Sequence, residues 1–93
     1  MGAAWDRVER RLRRNADYRG TFGSDHGKRV LADLMRKGHM TVPVTVFDGD
    51  KRVDPILSGY RDGTRHLVLY ICRVLGMKDD EVQRLAQEEA EDE

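Results

Sequence analysis

The sequence predicts a mainly α fold: a small three- to four-helix domain with an extended arm or short β-hairpin between helices 2 and 3. Three observations support this class. Apolar residues recur at helical spacing in several segments, capping residues flank those segments, and a single short segment alternates as a strand does. The 93 residues are 39% hydrophobic and 37% charged, which suits one small core. We expect a single helical domain over residues 1–88 and a disordered acidic tail over 89–93.

The first helix is predicted over about residues 3–16. Trp5, Val8 and Leu12 lie at i, i+3 and i+7 and form one narrow apolar stripe, while arginines occupy the other faces. We expect this helix to dock lightly on the core or on another subunit. Residues 17–23 are predicted to form a turn.

The second helix is predicted over about residues 24–37. Ser24 is a favourable N-cap and Gly38 a favourable C-terminal stop. Its predicted buried face consists of Val30, Leu31, Leu34 and Met35.

Residues 40–53 are predicted to form the extended arm. β-Branched residues alternate through 41–47, and Pro43 excludes a central strand, so an edge strand or extended segment is expected. Asp48 and Gly49 form a strong turn signal. Residues 51–53 are then able to return as a short second strand.

The third helix is predicted over about residues 54–75, because Asp54 is a good cap and Pro55 suits the first helical position. A continuous apolar seam makes it the predicted central helix. This seam comprises Leu57, Tyr60, Thr64, Leu67, Val68, Ile71, Val74 and Leu75. A fourth helix is predicted over about residues 79–88, where acids occupy the first turn.

Charge is distributed unevenly along the chain. Residues 79–93 hold eight acids against Arg84 alone, so this segment carries −7, and the neutral chain leaves +7 on residues 1–78. The tail is therefore expected to bind a basic partner, to screen the basic body, or only to solvate a frayed terminus.

The sequence offers few groups for catalysis or metal binding. We expect a cytosolic product, because no apolar run is long enough to span a bilayer and residues 1–7 lack the apolar region of a signal peptide. Cys72 lies in an apolar run and is predicted to be a buried thiol. His26, His39 and His66 lack metal-ligand spacing. We expect no enzymatic activity, no metal and no cofactor.

Two glycine-containing segments carry a more specific signal. Phe22 to Leu34 reads Phe-x4-Gly-Lys-Arg-Val-Leu-Ala-Asp-Leu, and Asp62 to Ile71 reads Asp-Gly-x-Arg-x-Leu-Val-Leu-x-Ile. In this order they resemble a small tailed-phage domain family first named from a Bordetella phage. Ser24-Asp25 stands where Thr-Pro is common, and Asp62 replaces a glutamate.

The resemblance implies a non-enzymatic structural or assembly protein of a tailed phage or prophage. Such a protein would act by protein–protein contact at the portal, connector or inner head, within the virion or in the host cytoplasm during assembly. A homo-oligomer or ring is expected. A basic nucleic-acid-binding accessory protein and a regulator of a host protein remain the alternatives. Bases that support nucleic-acid binding are Arg10, Arg11, Arg13, Arg14, Lys28, Arg29, Arg36 and Lys37.

Two sets of residues are predicted to matter. The hypothesised partner-binding residues are Arg7, Arg10, Arg11, Arg14, Val42, Val44, Val46 and Phe47. The predicted helix-packing residues are Gly27, Leu31, Leu34, Gly63, Arg65, Leu67 and Ile71. Glycine is unfavourable inside a helix, so Gly27 and Gly63 are expected where the second and third helices cross closely. Arg29 and Arg65 are expected to pair with Asp33 or Asp62.

Overall fold

The chain folds into four helices. The computed structural model describes residues 2–91, with α1 at Ala3–Phe22, α2 at Asp25–Lys37, α3 at Pro55–Val74 and α4 at Asp79–Glu91. This confirms the mainly α class. The segment between α2 and α3 is a loop in which one isolated antiparallel bridge joins Phe47 and Val53, and residues 2–91 contain no strand.

The first helix is longer than its sequence pattern predicts. It continues through residues 17–22, so only Gly23 and Ser24 connect it to α2, and the predicted turn over 17–23 is wrong. Tyr18 and Phe22 explain the extension, because their rings pack 6.0 Å apart on the side that meets the rest of the protein. The fourth helix likewise includes residues 89–91 of the predicted tail. Residues 92–93 lie outside the described part of the chain.

The core lies between α2, α3 and α4, and α1 contributes no buried residue. An ion pair between Arg36 and Glu89, with 2.8 Å between its charged atoms, joins α2 to α4. Cys72 is fully buried as predicted, and this burial raises the pKa of its thiol. The buried apolar residues are Leu31, Met35, Met40, Val68, Cys72, Val82 and Ala86.

Capping side chains fix where α2 and α3 begin. The hydroxyl of Ser24 accepts a hydrogen bond from the Gly27 amide at 3.0 Å and donates one to the Thr21 carbonyl at 3.1 Å. The carboxylate of Asp54 accepts from the Leu57 amide at 3.0 Å. Both predicted caps are therefore confirmed, and each supplies an acceptor to an otherwise unpaired helical amide.

Two glycines of α2 permit close helix contacts. A Cβ at Gly27 would lie 1.7 Å from the Thr21 carbonyl oxygen, and a Cβ at Gly38 would lie 2.6 Å from a methyl carbon of Val68. The start of α2 thus approaches the end of α1, and its C-cap approaches α3. Gly27 is a packing residue as predicted, but the neighbour that it approaches is α1.

The packing prediction fails on the outer side of α3. Gly63 is exposed, and a Cβ there would meet nothing within 4 Å, so α2 and α3 do not cross at this glycine. Leu67 is 64% exposed. Only Val68 and Cys72 of α3 are buried, because the core covers a single side of the helix.

Side chains of α3 hold the connection from α2. Arg65 donates hydrogen bonds to the carbonyl oxygens of His39 and Val42, and Arg61 donates to that of Pro43 at 3.1 Å. Ser58 accepts from an amide further along the loop, at 2.8 Å. Positions 58, 61 and 65 share one helix face. Arg65 therefore binds backbone carbonyls, which corrects its predicted pairing with a carboxylate.

The chain reverses direction at His39, the residue after the C-cap of α2. Its φ of 56° is left-handed, a conformation that histidine adopts more readily than most residues. Nδ1 of its ring lies 2.8 Å from the Thr64 hydroxyl, and the ring makes a T-shaped contact with Tyr60 at 5.6 Å. Ring and carbonyl contacts with α3 thus stabilise this unfavourable backbone conformation.

Alanine substitutions separate the two glycines that the sequence treats alike. Gly27→Ala should lower the free energy of unfolding by about 2–3 kcal/mol through overpacking against α1. Gly63→Ala should raise it by about 0.5–1 kcal/mol, because alanine favours the helix and the site has open space. Urea unfolding at low protein concentration measures both values. Equal destabilisation by the two substitutions would contradict the assigned helix contacts.

Removing the Arg65 guanidinium should release the loop that follows α2. Arg65→Met keeps an unbranched stem but leaves two loop carbonyls without their donor, so we expect a loss of about 1–3 kcal/mol. Amide hydrogen exchange should accelerate over residues 39–47. Arg73→Met is the matched control, since Arg73 is an exposed arginine of α3 that pairs with Asp79. Equal exchange in the two variants would contradict this role.

Candidate functional site

The first half of α1 stands clear of the core. The helix is 20 residues long, which corresponds to about 30 Å. Contacts with α3 are made from positions 14 and 18, where Arg14 and Tyr18 both meet Tyr70. The molecule is accordingly elongated, at 59 × 33 × 20 Å. Residues 3–12 therefore form an exposed helical surface.

Four arginines share one side of this surface. Their spacing of i, i+3, i+4 and i+7 places them on one helix face, where they line a shallow hollow. We call Arg7, Arg10, Arg11 and Arg14 the arginine face. The Arg14 guanidinium lies 3.4 Å from the Tyr70 hydroxyl and 6.0 Å from the centre of its ring, which holds one end of this face against α3.

The arginine face keeps its positive charge. Between residues 2 and 91, no carboxylate forms an ion pair with Arg7, Arg10 or Arg11. Glu9 pairs with Arg13 at 3.2 Å, and the helical repeat places Glu9 on the side away from the arginine face. The face is thus a one-signed electrostatic surface that attracts anionic partners.

An apolar stripe runs beside the arginine face. Trp5, Val8 and Leu12 are 51%, 41% and 60% exposed, so the stripe does not dock on the core of its own chain. Tryptophan and arginine are enriched among the residues that dominate protein interfaces. The sequence placed both features on the first helix, and the structure shows that they lie uncovered.

The arm residues form a separate surface. Val42 and Phe47 are exposed, whereas Val44 and Val46 are half-buried. The Val46 amide donates to Ser58, and its carbonyl accepts from the Asp54 amide at 2.6 Å. The backbone edge that the sequence predicted to be free for strand addition is therefore occupied at Val46.

The sequence gave no sign of a cavity of about 360 Å³ at the meeting point of all four helices. Its walls come from segments far apart in the chain, so no local motif marks it. Lys28 and Glu89 supply its charged groups, and the remainder can accept an apolar side chain. The apolar lining comprises Phe22, Leu31, Ala32, Met35, Leu75, Met77 and Leu85.

Metal and membrane features were sought in the same part of the chain. Among residues 2–91, no three His, Cys, Asp or Glu side chains come together in a way that would hold a metal ion. None of the described helices combines the length and apolar character needed to cross a membrane.

Comparisons with known proteins identify the family. No curated protein and no solved structure matches the chain. One family model does match, over residues 18–87, and its description is Bbp19-like phage protein. The match begins in the second half of α1 and extends into α4, so it covers the core and leaves most of the arginine face outside. The chain belongs to the Bbp19-like phage protein family.

Proposed function

We propose that this chain is a non-enzymatic structural or assembly protein of a tailed phage or prophage. It acts by protein–protein contact at the portal, connector or inner head, in the virion or in the host cytoplasm during assembly. The observation that carries this proposal is the exposed half of α1, where an apolar stripe lies beside the arginine face. Membership of a phage protein family supports the viral setting.

The chemistry of α1 indicates what kind of surface it binds. Protein interfaces combine an apolar centre with a polar rim, and buried aromatic residues and arginines contribute most of their binding energy. Trp5 supplies the aromatic anchor, and the arginine face favours acidic neighbours. The partner on this proposal is a virion protein with an apolar groove bordered by carboxylates.

The exposed arm residues offer a second contact. Phe47 is 61% exposed and Val42 is 39% exposed, at the end of the molecule where the loop meets α3. On this proposal, neighbouring copies or virion proteins meet these side chains in a ring around the portal. Side-chain contact replaces the strand addition that the free-edge hypothesis required.

Neutralising the arginine face should prevent incorporation into assembling particles. The variant replaces Arg7, Arg10, Arg11 and Arg14 by glutamine. Copies of the chain per particle, counted by quantitative mass spectrometry of procapsids and mature virions, should fall about tenfold, which corresponds to about 1.4 kcal/mol. The unfolding midpoint should hardly change, because all four side chains are exposed.

The matched control removes the same charge elsewhere. Lys37, Arg52, Lys78 and Arg84 are exposed basic residues outside the arginine face, and their replacement by glutamine should leave incorporation unchanged. Equal losses in both variants would show that net charge alone matters. Absence of the wild-type chain from procapsids and virions alike would refute the proposed function and favour a regulator of a host protein.

Nucleic-acid binding is the second candidate, because the arginine face lacks paired carboxylates. A duplex DNA of unrelated sequence is a direct probe. If DNA is the partner, the logarithm of the association constant should fall linearly with the logarithm of the salt concentration, with a slope of about −0.9 per phosphate contacted. The protein-contact proposal expects no retention on this duplex at physiological salt.

A further inference from the structure

The outer side of α3 carries a heptad pattern of exposed residues. Positions 56, 60, 63, 67, 70 and 74 alternate in steps of four and three, which is the spacing of the a and d positions in a coiled coil. We call these six positions the outer seam. They are Ile56, Tyr60, Gly63, Leu67, Tyr70 and Val74.

The outer seam is uncovered within its own chain. Ile56 is 85% exposed, Tyr60 60%, Leu67 64% and Tyr70 43%. Tyr70 touches α1, yet much of its ring remains accessible. A row of large apolar side chains along a helix of 20 residues is unusual for a surface that faces only water.

We propose that a second copy of this chain covers the outer seam, with its own α3 packed antiparallel. The inference goes beyond the proposed function and stands on the geometry of α3. A symmetric dimer requires a self-complementary surface, and antiparallel coiled coils pair a positions with d positions. The seam meets this requirement about a two-fold axis level with residue 65.

Residue sizes match in that register. Ile56 lies opposite Val74 of the second copy, and Tyr60 lies opposite its Tyr70. Gly63 lies opposite Leu67, so the leucine enters the open space over the glycine, where nothing of the glycine's own chain lies within 4 Å of a Cβ position. A parallel pair would instead place the two glycines opposite each other and leave a void.

The available area suits a weak dimer. A buried tyrosine contributes about 150–250 Å², so the exposed fractions of Tyr60 and Tyr70 amount to about 200 Å² per copy. Ile56 and Leu67 bring the total to about 400 Å², or half of the ~800 Å² that each partner gives to a standard interface. Association should therefore depend on concentration.

Sedimentation velocity over a wide range of concentrations tests the pairing. The wild-type chain should shift from monomer to dimer, and Leu67→Asp should remain monomeric with an unchanged helical circular-dichroism spectrum. Val30→Asp is the matched control, since Val30 is 51% exposed on α2, away from the seam, and this variant should still dimerise. A wild-type chain that stays monomeric at every concentration overturns the proposal.

Disulfide trapping tests the direction of the pair. A mixture of Tyr60→Cys and Tyr70→Cys chains should cross-link between the two variants, while neither variant alone should do so. The native Cys72 is fully buried and does not interfere. Cross-linking of Tyr60→Cys with itself would indicate a parallel pair and contradict the antiparallel register. Both experiments use the isolated chain, so their outcome is independent of incorporation into phage particles.

Discussion

The small core between α2, α3 and α4 is the constraint on which the rest of the structure depends. It buries one side of each helix and is stabilised mainly by removing apolar side chains from water. A domain of this length buries a smaller fraction of its surface than a larger one does. The core therefore leaves the first half of α1 and the outer side of α3 uncovered, and these two surfaces are where we place contact with other molecules.

The loop after α2 shows how α3 stabilises more than the core. Its inner side buries Val68 and Cys72, while a neighbouring face presents Arg65 to the carbonyls of the loop. That arrangement keeps His39 in a left-handed conformation and ends α2 where Gly38 meets Val68. A single helix thus sets the position of α2, the course of the loop and the outer seam.

Local sequence signals predicted the helices well, because caps and helical periodicity are properties of neighbouring residues. Ser24 and Asp54 cap as expected, and Gly27 makes a close contact. The end of α1 was predicted too early, since Tyr18 and Phe22 are held by tertiary contacts that the local pattern does not contain. Gly63 was misplaced for a related reason: its composition indicates close packing, but sequence alone does not say whether the neighbour is in the same chain.

The candidate surfaces were predicted in part. The arginine face follows directly from spacing on a helix, whereas the occupied backbone at Val46 depends on bonds to Ser58 and Asp54 that only the fold provides. The family match covers the core and begins within α1, so it describes the scaffold more fully than the arginine face. Function by contact therefore rests on surfaces that the core does not bury.

Hydrogen exchange of the free chain compared with the chain inside assembled particles tests this account most directly. Peptides from the first half of α1 should exchange rapidly in the free chain and become protected in particles, because that segment has no buried residue of its own. Peptides from the core helix α2 should change little. Equal exchange of the α1 peptides in both states would contradict the claim that this uncovered helix is the contact surface.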